Sequence, residues 1–268
     1  MNRERLWLRQ HGESERRLAT PIKKFLDDQA NRLAREIEQH GYPTPGIAEQ
    51  IIHQQTENAK LLQAVHGPLL TQMALGAHLE LESAPPQKSF RLERSNLPDG
   101  ILSEFDIPAP IMRSIQVALD DLERQPYWLA IQQTTAERLA KIIGDCIANG
   151  DPLRDVVSKV RSGLGGTAAS SRAKAIARTE TTGALNAGHY AARSELISEG
   201  LVKGSEWLGV QDERQRAAHA ANDGKVVAAG EMFNVGGEQA PYPGYWGLSA
   251  AQRVNCRCTT VAAGTFAD

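Results

Sequence analysis

The residues with most capacity for chemistry crowd into the last third of this 268-residue chain: Asp212, Arg216, His219, Asp223-Gly224 and the tetrapeptide Asn255-Cys256-Arg257-Cys258. Asp212 and Arg216 stand four apart, and Arg216 and His219 three apart, so on a helical turn they share one face. That pattern suits either an exposed ion pair beside a solvated histidine or a polar site. Asn222-Asp223-Gly224 marks a sharp turn into a Lys225-Val226-Val227 strand, with glycine free to take positive φ. In Asn255-Cys256-Arg257-Cys258, strand periodicity puts both sulfurs on one face and Asn255 with Arg257 on the other, a poor geometry for a disulfide between them. Three chemistries stay open. The thiols are a half-buried structural pair, or they bind Zn²⁺ with His219 and a fourth ligand, since thiolate and imidazole together suit zinc. The third is nucleophilic catalysis by a cysteine with His219 as base.

These residues need elements to hold them. A long helix is expected from about Ala168 to Glu199, stopped by Gly200. At about 100° per residue, Ala173, Ile176, Ala177, Glu180, Ala184, Ala187, Gly188 and Ala191 fall on one face. Small side chains allow close approach of another element, so Glu180 is expected to be covered and therefore paired. Arg216 or Arg257 is the expected partner, which would bring Glu180, Arg216, His219 and the Asn255-to-Cys258 strand together. Beyond Gly200, short β-like pieces at Glu206 to Val210, Lys225 to Ala228, Met232 to Val235 and Val254 to Ala262 predict a small sheet.

Upstream, apolar residues from Leu18 to Ile37 recur at helical spacing, giving an amphipathic helix from Leu6 to about His40 that ends at Gly41, Pro43 and Pro45. A second helical stretch runs from Ile47 to near Leu81, with a kink or split expected at Gly67-Pro68. Residues 83–110, with five prolines, read as an extended connection. Helices resume at Ile111 to Arg124. Thr134-Thr135-Ala136-Glu137 offers a capping box, and Asn149-Gly150-Asp151-Pro152 a tight turn between two helices. The expected organisation is an amphipathic helical region over 1–82, the connection over 83–110, a helical hairpin region over 111–166 and an α+β module over 167–268. The fold class is α+β: a mostly helical N-terminal region, then a long helix packed on a small, mainly antiparallel sheet.

Bulk properties set limits. Aromatic residues are 5% against 41% hydrophobic overall, so the core is built from Ala, Leu, Ile and Val, as suits helices. A net charge of -2 gives no sign of a protein that coats nucleic acid or an anionic membrane. Three cysteines make no disulfide framework and fit a reducing compartment. No apolar run is long enough to span a membrane, and a soluble protein without an export signal is expected. Phosphate loop, dinucleotide fingerprint and nucleophile elbow are all missing from the sequence.

Taken in order, Ile176-Ala177-Arg178-Thr179-Glu180-Thr181, Trp207, Asp212, Arg216, His219, Asp223-Gly224-Lys225-Val226, Phe233, Pro243-Gly244 and Asn255-Cys256-Arg257-Cys258 resemble the phage Mu F-like head morphogenesis family, found in minor head proteins of tailed phages. Ala218 stands where many members carry Glu, and Tyr245 where an acidic residue often follows Pro-Gly. The resemblance implies a minor component of procapsid and virion, encoded beside portal and terminase, that associates with the portal protein and inner capsid components and acts in head assembly, DNA packaging or delivery. It places the protein in the host cytoplasm during assembly and then in the inner head, away from membranes. On this reading no catalysis and no cofactor are expected, zinc being the candidate exception. Arg178, Thr179, Glu180, Trp207, Asp212, Arg216, His219, Asp223, Gly224, Asn255, Cys256, Arg257 and Cys258 then serve as a structural clamp. Two rivals stand beside it: an enzyme centred on His219 (hydrolase, nuclease or ADP-ribosyltransferase-like), and a virion protein that binds the packaged DNA.

Overall fold

A computed structural model describes residues 3–84 and 105–265, so most of the proline-rich connection expected at 83–110 lies outside the described residues. The described chain is mostly helical with a small antiparallel sheet, the α+β class expected from sequence. In order it forms α1 (Arg3–His40), α2 (Ile47–Ile51), α3 (Gln54–Ser83), α4 (Ala109–Glu123), α5 (Tyr127–Asn149), α6 (Leu153–Leu164), α7 (Gly166–Ser198), β1 (Val202–Leu208), α8 (Ala217–Ala220), β2 (Val226–Ala228), β3 (Phe233–Val235), β4 (Glu238–Ala240), α9 (Ala250–Arg253) and β5 (Thr259–Thr265). No helix among the described residues is long and apolar enough to cross a membrane.

Two compact units emerge, each assembled from separated stretches. The first, residues 17–66 and 123–177, is helical. Leu33, Ala34 and Ile37 of α1 pack with Ile52, with Leu139, Ile143 and Cys146 of α5 and with Val156 and Val160 of α6. The helix ends follow the local chemistry. Gly41 takes φ 86° just after α1, and Gly150 takes φ 68° after α5. There the Gly150 N–H bonds Ile147 O and the Asp151 N–H bonds Cys146 O, satisfying carbonyls the helix leaves open.

Two local expectations are corrected. No split falls at Gly67-Pro68, through which helix α3 continues; the stretch divides earlier, between α2 and α3. A proline mid-helix loses one hydrogen bond, and here the apolar face around it, with Val65, Leu69 and Met73 fully buried, outweighs that loss. The Thr134 capping box does not form, because α5 has already begun at Tyr127. Thr134 Oγ1 instead donates back to Ala130 O, 2.9 Å away, within the helix.

The second unit comprises the described parts of residues 1–16, 67–122 and 178–268. Its sheet has the order β2-β1-β5, all antiparallel, with Gly204 opposite both Ala228 and Ala263. A separate hairpin pairs β3 with β4. The small-residue stripe on α7 has a definite partner here, α3. A Cβ on Gly188 would come within 1.9 Å of Met73 O, and one on Gly76 within 2.1 Å of Leu185 O. The two backbones therefore touch, and only glycine fits at both positions.

Candidate functional site

The site is built on the turns flanking the small sheet. Where β1 ends, the Asp223-Gly224 turn is tied back to it. Asp223 Oδ1 accepts from the Gly209 N–H at 2.7 Å, and Oδ2 from Gln211 Nε2 at 2.9 Å. Gly224, at φ 73°, donates to Trp207 O, and the Trp207 N–H donates to Lys225 O. Trp207 is fully buried with its ring edge-on to both His219 and Phe233, at centroid distances of 5.7 and 5.1 Å.

His219 sits in the one-turn helix α8. Arg216 occupies the position just before that helix, and its guanidinium holds the Val254 carbonyl. The expected Asp212–Arg216 face does not form, because Asp212 lies outside the helical turn. Its carboxylate accepts from Arg257 at 2.5 Å and Arg214 at 3.1 Å. Those hydrogen bonds, with Arg257 the larger influence, hold the Asp212 carboxyl below the usual range.

Cys256 and Cys258 lie in the irregular segment just before β5 rather than within the strand. Both nevertheless point the same way into an apolar pocket with Trp207, Phe233, Val235 and Leu248. His219 Nδ1 lies 3.5 Å from Cys256 Sγ and 3.6 Å from Cys258 Sγ. All three ligand-capable atoms fall within 4.8 Å of one another, and all three residues are buried. The Cys256 thiol hydrogen bond and the neighbouring imidazole favour the Cys258 thiolate over the opposition of burial. Cys256, the donor of that pair, is pushed up by the same bond and by burial.

Glu180 is buried, as its stripe implied, yet neither expected arginine reaches it. Its partner is Arg253 in α9, whose Nη2 lies 3.1 and 2.9 Å from the two carboxylate oxygens. Thr179 Oγ1 accepts from the Asn255 N–H, and Asn255 takes the left-handed conformation at φ 59°. Arg178 faces elsewhere, with Nε and Nη2 on the two oxygens of Glu15 and Nη1 3.5 Å from Asn255 Oδ1.

Several residues that sequence reasoning passed over complete the site. Successive carbonyls of the cysteine segment are each captured by a distant side chain. Thr182 Oγ1 donates to Cys256 O, Trp7 Nε1 to Arg257 O at 2.6 Å, and Asn186 Nδ2 to Cys258 O at 3.0 Å. His11 Nε2 lies 2.8 Å from Thr182 Oγ1. Burial, then the charges of Arg178 and Arg257, lower the His11 pKa to about 4, so its imidazole is neutral. Two turns of α7 beyond Asn186, the fully buried Arg193 makes a two-pronged ion pair with Glu80, at 2.7 and 2.8 Å, and also reaches Ser205 of β1 and Thr260 of β5. Burial raises the Glu80 carboxyl, but Arg193 and His189 together hold it down at about 2. A sequence signal for this face existed: Arg178, Thr182, Asn186, His189 and Arg193 recur at three- and four-residue spacing beside the alanine stripe.

Residues 137–261 match the family described as Phage Mu protein F like protein. The matched stretch takes in α6, α7, β1 to β4, the start of β5 and every residue expected in the clamp, and over it the chain is similar to that family. No curated protein and no solved structure matches the chain.

Proposed function

We propose that the protein is a minor head protein of a tailed phage or prophage that assembles with the portal protein and inner capsid components, and acts non-enzymatically in head assembly, DNA packaging or DNA delivery. The observation that carries this reading is the family match over residues 137–261. The site's geometry supports a structural role within it. Asp212, Asp223 and Glu180 are all committed to internal hydrogen bonds, and the clamp's arginines to carboxylates or backbone carbonyls. A cysteine–imidazole pair favours the rival reading of a thiol enzyme. Burial weighs against it, since Cys256 and Cys258 are 2% and 3% exposed and a substrate carbon would have to reach them.

The test is assembly. Full-length protein expressed with its cognate portal protein should co-purify with it, and the chain should be found by mass spectrometry in purified heads. A folded full-length chain that never associates with the portal, and is missing from heads, would overturn the proposal.

A further inference from the structure

The imidazole of His219 is an unusual buried group. Its Nε2 has no hydrogen-bond partner among the described residues. Its Nδ1 faces two sulfurs, which are weak hydrogen-bonding atoms. A buried ring so poorly supplied with hydrogen bonds is costly to fold, because its desolvated polar atoms regain little of what they lose on leaving water. As a ligand set, however, the same three atoms are well arranged. Tetrahedral zinc binds thiolate sulfur at about 2.3 Å and imidazole nitrogen at about 2.0–2.1 Å, which sets neighbouring S and N ligands roughly 3.6 Å apart. The two S···N separations are 3.5 and 3.6 Å.

We propose that His219 Nδ1, Cys256 Sγ and Cys258 Sγ bind one zinc ion, which fastens α8 to the segment entering β5. Two thiolates and a neutral imidazole around Zn²⁺ give a site of zero net charge, compatible with the apolar wall of Trp207, Phe233, Val235 and Leu248. The surroundings hold the ligands in place independently of the ion. Cys256 and Cys258 are fixed through their carbonyls by Thr182 and Asn186. His219 is fixed by the turn that Arg216 closes on Val254 O and by its edge-on contact with Trp207. Zinc therefore meets a preformed site, and the ion adds stability where the sheet is small. The ligands come from two stretches 37 residues apart, so the ion shortens the effective loop between them.

The inference stands apart from the virion assignment, because it concerns the isolated chain. Full-length protein purified under reducing conditions should hold about one zinc per chain by elemental analysis, with Cys256→Ser and Cys258→Ser each losing it and Cys146→Ser keeping it. Because a cysteine variant can also fail to fold, a second measurement uses the unaltered chain. Replacement by Co²⁺ should give the intense visible bands of a tetrahedral site together with near-ultraviolet thiolate-to-cobalt charge transfer. Unaltered protein that stays zinc-free after incubation with zinc overturns the proposal. So does zinc kept in full by the Cys256→Ser, Cys258→Ser double variant, or Co²⁺ bound without charge transfer.

Discussion

At the scale of single residues, the ion pair between Glu180 and Arg253 is an exacting contact, since both side chains are nearly inaccessible to water. Removing one partner of such a pair leaves a charge in a site that cannot solvate it. Arg253→Ala and Glu180→Ala are each expected to cost about 3–5 kcal/mol, measured by denaturant unfolding. The double change to Met and Leu, which removes both charges and keeps volume, should cost much less. Equal losses in single and double variants would show that the pair contributes only bulk. Asn255 illustrates a different constraint. Its φ of 59° is tolerated by asparagine better than by most side chains, and it turns the chain so that Cys256 enters the pocket.

Elements explain which parts of the site were legible beforehand. Helix ends at Gly41, Gly150 and Gly200 could be read because glycine at positive φ is a local requirement. The burial of Glu180 could be read because periodicity places it among alanines. Its partner could not, because Arg253 lies 73 residues away and Arg214, Arg216 and Arg257 suit a carboxylate equally well in one dimension. The continuity of α3 was hidden for a related reason: a proline's local cost is visible in sequence, whereas the buried face that offsets it is a property of packing. The same holds for β4, a short strand whose Glu238-Gln239-Ala240 has little β propensity and is paired by its hairpin. The contact between α3 and α7 yields a prediction of its own. Gly188→Ala inserts a methyl at 1.9 Å from Met73 O, and neither backbone can yield without shifting its helix. It is expected to destabilise the chain by about 1–3 kcal/mol, read as a lowered melting temperature, whereas Gly144→Ala, with open space at that position, should be neutral or slightly stabilising.

For the molecule as a whole, the buried titratable groups set a response to acid. His11 has a folded-state pKa of about 4 against an ordinary 6.5. As pH falls below about 6.5 the unfolded chain takes up a proton that folded His11 refuses, so stability declines until about pH 4 and this contribution then levels off. Glu80, at about 2 against 4.5, adds a second decline at lower pH, its contribution being present above 4.5 and lost as pH falls towards 2. Stability measured from pH 7 down to 5 should therefore fall by up to about 1.4 kcal/mol per pH unit below the upper pKa, and His11→Gln should flatten that stretch of the curve. An unchanged slope in the variant would remove His11 as its cause.

The bond from Trp7 to the Arg257 carbonyl spans 250 positions of the sequence. Ribosomes add about 5–20 residues per second, so Trp7 is made roughly 12–50 s before its acceptor. During that interval the indole at the start of α1 lacks its acceptor. Synonymous changes that slow synthesis of the last third should lower its soluble yield without altering any residue.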